Sequence, residues 1–175
     1  MDLKDYIRSI KDYPKKGILF RDITTLIKDK DAFKECIDQM SKIMEKMNFD
    51  KIAAVESRGF IFASALSYLL NKPLILIRKK NKLPAETFSE DFELEYGKAT
   101  VEIHKDSIKK NEKTIIVDDL IATGGTAKAT AKLVEKTGGK VESFIFVINL
   151  FDLGGKDQLE KEKYKVVSLI DFPGH

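Results

Sequence analysis

One cysteine, no tryptophan, four prolines and two histidines in 175 residues leave little room for several kinds of chemistry. Cys36 has no second cysteine for an internal disulfide, and it falls on the apolar side of an expected helix, where a thiol packs rather than reacts. His104 and His175 lack metal-ligand spacing and read as incidental. No apolar run approaches the ~20 residues that cross a bilayer, and Met1-Asp2-Leu3-Lys4-Asp5 is acidic without an apolar core, so a cytoplasmic protein with no membrane partner is expected. A block of one charge is missing as well: 31 basic and 28 acidic residues are interspersed and nearly cancel, to +3. Nucleic acid is therefore not implied, and a phosphate-rich small substrate accounts equally well for any local excess of Lys and Arg. The chain has one Gly-rich loop without the Lys of a nucleoside-triphosphate loop, and it has no G-x-G-x-x-G. Internal repeats and low-complexity stretches are absent too.

What is present centres on Ile115-Ile116-Val117-Asp118-Asp119-Leu120-Ile121-Ala122-Thr123-Gly124-Gly125-Thr126-Ala127. The β-branched opening reads as a strand buried on both faces, ended by two carboxylates. Ala122 to Thr126 contain nothing bulky, and Ala127 to Val134 have helical spacing with a stop at Gly138-Gly139. Gly and Thr let several backbone N–H groups converge on an anion, and the positive end of a helix dipole adds to the attraction. A phosphate suits that loop, while Asp118 and Asp119, as acceptor-only groups, suit sugar hydroxyls beside it. Together they point to a ribose 5-phosphate. The plainer reading is Gly for tight geometry and Asp for helix capping.

Elsewhere, 43% apolar residues suffice for the core of one domain spanning residues 1–175. Leu3, Ile7 and Ile10 suggest a short helix over residues 3–10, Lys15-Lys16-Gly17 a turn, and Ile18 to Thr24 a short strand or extended loop. Phe20, from the residues alone, reads as a core aromatic. From Asp31, apolar residues recur at three and four, from Phe33 to Met47, which predicts an amphipathic helix of about four turns whose Met stripe packs in the core. Strands are expected near residues 52, 74, 115, 143 and 167, with helices over 60–70, 127–134 and from Gly155 to about Lys161. Residues 80–91 read as a mobile loop, and Phe92 to Tyr96 with Ala99 to Ile103 as a two-stranded ribbon. Glu56-Ser57-Arg58-Gly59 sits at a strand-to-helix turn, either as a second anion site or as a capping Ser beside a solvated Arg. Arg78, Lys79, Lys80 and Lys82 follow the next strand. The fold class is α/β, a mostly parallel central sheet flanked by helices, whose ligands gather at the carboxyl ends of the strands.

The central stretch resembles the 5-phosphoribosyl-1-pyrophosphate (PRPP) signature of type I phosphoribosyltransferases. Gly17-Ile18-Leu19-Phe20-Arg21-Asp22-Ile23-Thr24, Glu56-Ser57-Arg58-Gly59-Phe60, Arg78 to Pro84 and Leu94-Glu95-Tyr96-Gly97 narrow the resemblance to the adenine-specific family of that class, over residues 5–150. The resemblance implies that adenine and PRPP, carrying Mg²⁺, give AMP and pyrophosphate. It implies a type I fold with a small N-terminal hood (residues 1–30), a core (residues 31–175), a mobile active-site loop and a homodimer. Carried over residue by residue, Ala122, Thr123, Gly124, Gly125 and Thr126 would hold the 5-phosphate, and Asp118 and Asp119 the ribose hydroxyls. Ser57, Arg58 and Gly59 would hold the pyrophosphate, with Arg78, Lys79 and Lys82 as weaker partners. Phe20 would stack on adenine while main-chain groups of Leu19 and Arg21 read its edge. Glu95 would handle the proton near N7, Tyr96 would ride on the closing loop, and no residue would bind metal directly. The chain departs from the family at Ala63, where Gly is common, and at Asn149, where Glu is common; residues 168–175 match no pattern. Two other readings remain at this point: an enzyme for hypoxanthine or xanthine, and a non-catalytic PRPP or purine sensor.

Overall fold

Alternation along the apolar strands decides the architecture. Ile52 and Ala54 with Ile115 and Val117 belong to one buried cluster, while Ala53 and Val55 with Ile116 belong to another, so one sheet has a core on each face. A computed structural model describes residues 1–94 and 97–175. Its strands are β1 (Arg8–Lys11), β2 (Leu19–Asp22), β3 (Lys51–Val55), β4 (Leu74–Lys79), β5 (Thr87–Glu93), β6 (Lys98–His104), β7 (Lys113–Ile121), β8 (Lys140–Leu150) and β9 (Val166–Phe172). Its helices are α1 (Thr24–Lys28), α2 (Lys30–Met44), α3 (Arg58–Leu70), α4 (Gly125–Lys136) and α5 (Gly155–Lys161).

Among the described residues β1 and β2 form a two-stranded sheet, and the other seven strands run in the order β5-β6-β4-β3-β7-β8-β9. The five from β4 to β9 are parallel to one another, with β6 and β5 added antiparallel at one edge. From β3 the chain moves outward to β4 through α3, and from β7 it moves the opposite way to β8 through α4. The carboxyl ends of β3 and β7 therefore flank a topological switch point, the place where doubly wound sheets bind ligands. α2 and α3 pack over one face, where Phe33 and Phe62 meet at 5.9 Å between ring centroids. α4 covers the other, above the stacked Phe144 and Phe146. Each wholly buried Phe contributes about 2–3 kcal/mol of transfer free energy.

The structure corrects three expectations. Residues 3–10 form a single 3₁₀ turn, Leu3–Tyr6, followed by β1. A lone helix of eight residues is marginal in water, whereas pairing Ile10 with Phe20 gives the backbone a ladder. α1 was not foreseen; the Asp22 carboxylate accepts from the Thr24 amide at 2.9 Å and from its hydroxyl at 2.7 Å, fixing the turn that starts it. Residues 80–91 are not one loop, since β5 begins at Thr87. Phe88 and Phe92 pack toward the α4 side of the core, and Glu90 pairs with Lys132 and Lys136 of α4, so its polar look reflects partners on a neighbouring helix.

Candidate active site

The strand that opens the central stretch runs further than its carboxylates suggest. β7 continues through Asp118 and Asp119 to Ile121, so the acidic pair lies inside the strand rather than after it. The loop that follows is only Ala122 to Gly124. Gly124 turns it at φ +89°, a conformation that L side chains rarely adopt, and its backbone starts α4 without any side-chain cap. Capping therefore does not explain the acids. Behind the loop, the Gly155 amide donates to the Ala122 carbonyl at 3.0 Å, and a Cβ on Gly155 would fall 2.4 Å from that oxygen. The first turn of α5 thus holds the loop in place and leaves it free to present amides outward.

In front of the loop opens a cavity of about 410 Å³, walled by Ala122, Thr123, Gly124, Gly125 and Thr126 at one end and by Asp118, Asp119, Ser57 and Arg58 beside them. Arg58 Nε lies 2.7 Å from Asp119 Oδ2. The approach is close because Gly59 has no side chain: a Cβ there would lie 2.8 Å from Asp118 Oδ1. Ser57 stands at the N-cap of α3 but its hydroxyl caps nothing, and Arg58, though 45% exposed, is paired with Asp119, so a capping Ser does not account for this turn. Burial raises the pKa of both acids. On Asp118 the Asp119 charge adds to the rise, while on Asp119 the Arg58 guanidinium opposes it.

The remaining residues named from sequence divide sharply. Phe20, half-buried on β2, is met edge-on by Tyr13 at 5.2 Å and faces Arg58, whose guanidinium carbon lies 5.6 Å from its ring centroid. Leu19 and Arg21 flank it on the same strand; none of the three lines the cavity, and the Arg21 side chain turns away to reach Ser9 and Pro173. Arg78, Lys79 and Lys82 are not in the cavity wall. Arg78 Nε lies 3.4 Å from Glu56 Oε1, and the Lys79 amide donates to the same oxygen at 2.6 Å. Glu95 and Tyr96 lie outside the described residues; Glu93 and Leu94, just before them, line the cavity. Among the described residues no three acidic, imidazole or thiol groups gather as a metal cage.

Sequence reasoning missed Glu56, which lines the cavity while organising the end of β4, and Phe92, which closes the wall opposite Gly125. Strict alternation with Phe88 was the available signal for Phe92. Gly155 had only a Gly-Gly pair to announce it.

This fold and this loop define a phosphoribosyltransferase: the family described as "Phosphoribosyl transferase domain" matches residues 23–174. An adenine phosphoribosyltransferase of Pelagibacter ubique (strain HTCC1062) is 70% identical, each chain covered over 100% of its length. The solved adenine phosphoribosyltransferase of Thermoanaerobacter pseudethanolicus superposes with a TM-score of 0.93 at 49% identity, covering 97% of this chain and 98% of that one. The Saccharomyces cerevisiae enzyme, solved with an imino-altritol bisphosphate and adenine, gives 0.89 at 34% identity, with 96% of each chain covered. The chain belongs to the adenine phosphoribosyltransferase family.

Proposed function

We propose that this chain transfers the 5-phosphoribosyl group of PRPP to adenine, giving AMP and pyrophosphate in purine salvage. The observation that carries the proposal is the continuous unit of β7, paired acids, amide loop and α4, set at the switch point and facing Arg58 across one cavity. In this reading the amides from Thr123 to Thr126 hold the 5-phosphate, aided by the N-terminal dipole of α4. Asp118 and Asp119 accept from the ribose hydroxyls, which requires Arg58 to share its carboxylate partner with the sugar. Arg58, with the backbone of Ser57 and Gly59, then turns to the pyrophosphate, and Arg78, Lys79 and Lys82 form an outer cationic margin around the leaving group.

Displacement at the anomeric carbon puts positive charge on the ribose ring and negative charge on the pyrophosphate, so fixed cations around the leaving group lower the barrier. Mg²⁺ enters chelated by PRPP as part of the substrate. The acceptor-only oxygens of Asp118 and Asp119 line the cavity and suit the hydroxyls of a substrate that brings its cation with it. Phe20 stacks on adenine, main-chain groups of Leu19 and Arg21 read the ring edge, and Glu95 stabilises the proton near N7 so that N9 attacks as the stronger nucleophile. Tyr96 covers the site and limits hydrolysis of the activated sugar. A cytoplasmic homodimer completes the proposal. α3 turns Ile61, Tyr68 and Leu69 outward, Tyr68 being 91% exposed, and a second copy would cover that apolar stripe. The test is direct: purified protein with PRPP, Mg²⁺ and each nucleobase in turn, the product identified by mass. AMP from adenine alone is expected; IMP or XMP, or PRPP binding without turnover, would replace the proposal.

A further inference from the structure

Residues 168–175 end in a set of contacts that reach β2 on one side and, through the turn from Asp152 to Gly155, the back of the Ala122–Gly124 loop on the other. Arg21, 7% exposed, follows the base-facing Phe20 on β2. A buried guanidinium is costly unless its donors are met. Here Nη2 donates to the Pro173 carbonyl at 2.7 Å, Nη1 donates to Ser9 Oγ at 2.5 Å, and the group lies 4.4 Å from the ring centroid of Phe172. Nε has no partner. The charge is thus held by a carbonyl, a hydroxyl and a ring face, with Asp152 acting at longer range. Gly174 is fixed in turn: its amide donates to Asp152 Oδ1 at 2.6 Å, and a Cβ there would lie 2.6 Å from Leu153 Cγ. The same turn runs on to Gly155, whose amide holds the Ala122 carbonyl behind the phosphate-facing loop.

We propose that Phe172, Pro173 and Gly174 form a positioning brace that, through the Arg21 side chain, sets the distance of Phe20 from the phosphate loop. The inference rests on the adenine reading of the site. A substrate pair spanning the cavity must bring the base nitrogen onto the anomeric carbon, and misplacement by about 1 Å costs on the order of 100-fold in rate. A strand held only by its hairpin partner would not define that distance. Arg21 is therefore a positioning residue as well as a main-chain contact for the base.

The test uses the full chain carrying Phe172→Ala with Asp152→Ala, neither residue being part of the cavity. Loss of the ring face and of the Gly174 anchor is expected to raise KM for adenine about tenfold while KM for PRPP stays within about twofold. Amide hydrogen exchange should quicken at Leu19–Asp22 and stay unchanged from Ala122 to Thr126. Phe172→Tyr with Asp152 retained, which keeps both the ring face and the Gly174 anchor, should leave both readings at their wild-type values. Should the double variant not fold, Arg21→Lys gives the same two readings. Unchanged exchange at Leu19–Asp22, or a parallel rise in both KM values, would overturn the brace. Failure of the wild-type chain to turn over adenine would instead refute the proposed reaction, and exchange alone would then decide the brace.

Discussion

The two ends of the cavity are built by different means. The end proposed for the phosphate is one contiguous run, Ile115 to Thr126, rooted in a strand whose apolar residues are buried on both faces, and it offers mainly backbone. The end proposed for the base is gathered from Ser57-Arg58 and the end of β5, which line the cavity, and from Phe20 of β2, which stands outside the lining and faces Arg58; these segments are separated by dozens of residues. Arg58 reaches both, paired with Asp119 on one side and facing Phe20 on the other. The contrast follows the chemistry. In the proposed reaction the 5-phosphate takes no part in bond breaking and suits a rigid cradle, whereas the base must be chosen, oriented and relieved of a proton, which calls for side chains that can be held and released.

Substitutions at the two ends should therefore fail differently. The largest effect is expected at Glu95→Ala, which should lower kcat by about 100- to 1000-fold with PRPP affinity nearly intact by calorimetry; unaltered turnover would remove Glu95 from the mechanism. Asp119→Ala should act on the other end, lowering kcat/KM for PRPP by about 10- to 100-fold, because a charged hydrogen bond is lost and Arg58 is left unpaired. Gly155→Ala should displace the loop from behind, raising KM for PRPP several-fold with little change for adenine in initial-rate assays.

Two smaller effects concern stability. Asp118 has a folded pKa raised above 3.8, chiefly by burial, so between that value and the raised one the folded chain keeps a proton that the unfolded chain has released. Stability from this group falls as pH rises through that window, and Asp118→Asn should flatten the fall in melting-temperature scans while weakening PRPP use. Asp22, beside the base end, is the opposite case: the Thr24 hydroxyl and then the Arg8 guanidinium lower it from 3.8 to about 2. Its contribution is complete above 3.8 and disappears as pH falls toward 2, and Asp22→Asn should cost about 1–2 kcal/mol in urea unfolding at neutral pH.

The same contrast explains what was legible in the amino-acid sequence. The β7–α4 unit could be read because its elements follow one another and the role proposed for it depends on residue size and backbone, both visible locally. The five parallel strands were equally plain, each a short apolar run. Ser57 and Arg58 lie at the strand-to-helix turn expected of them and line the cavity, but the pairing of Arg58 with Asp119 needed the fold. Arg78 and Lys79 are the last residues of β4 rather than its sequel, and Lys82 follows it; Arg78 and the Lys79 backbone turn to Glu56, and none of the three basic residues lines the cavity. β5 was hidden because the side chains that make it look like a loop find their partners on α4, and Arg21 looked like a site residue by position while its side chain serves a segment 152 residues away.

The central claim is that the amides between β7 and α4 hold a sugar phosphate while the acids of β7 hold its ring. A crystal structure of the protein with AMP measures this directly. The phosphate is expected at hydrogen-bond distance, about 3 Å, from the backbone nitrogens between Thr123 and Thr126, with the ribose hydroxyls on Asp118 and Asp119. AMP bound with its phosphate away from that loop would contradict the account.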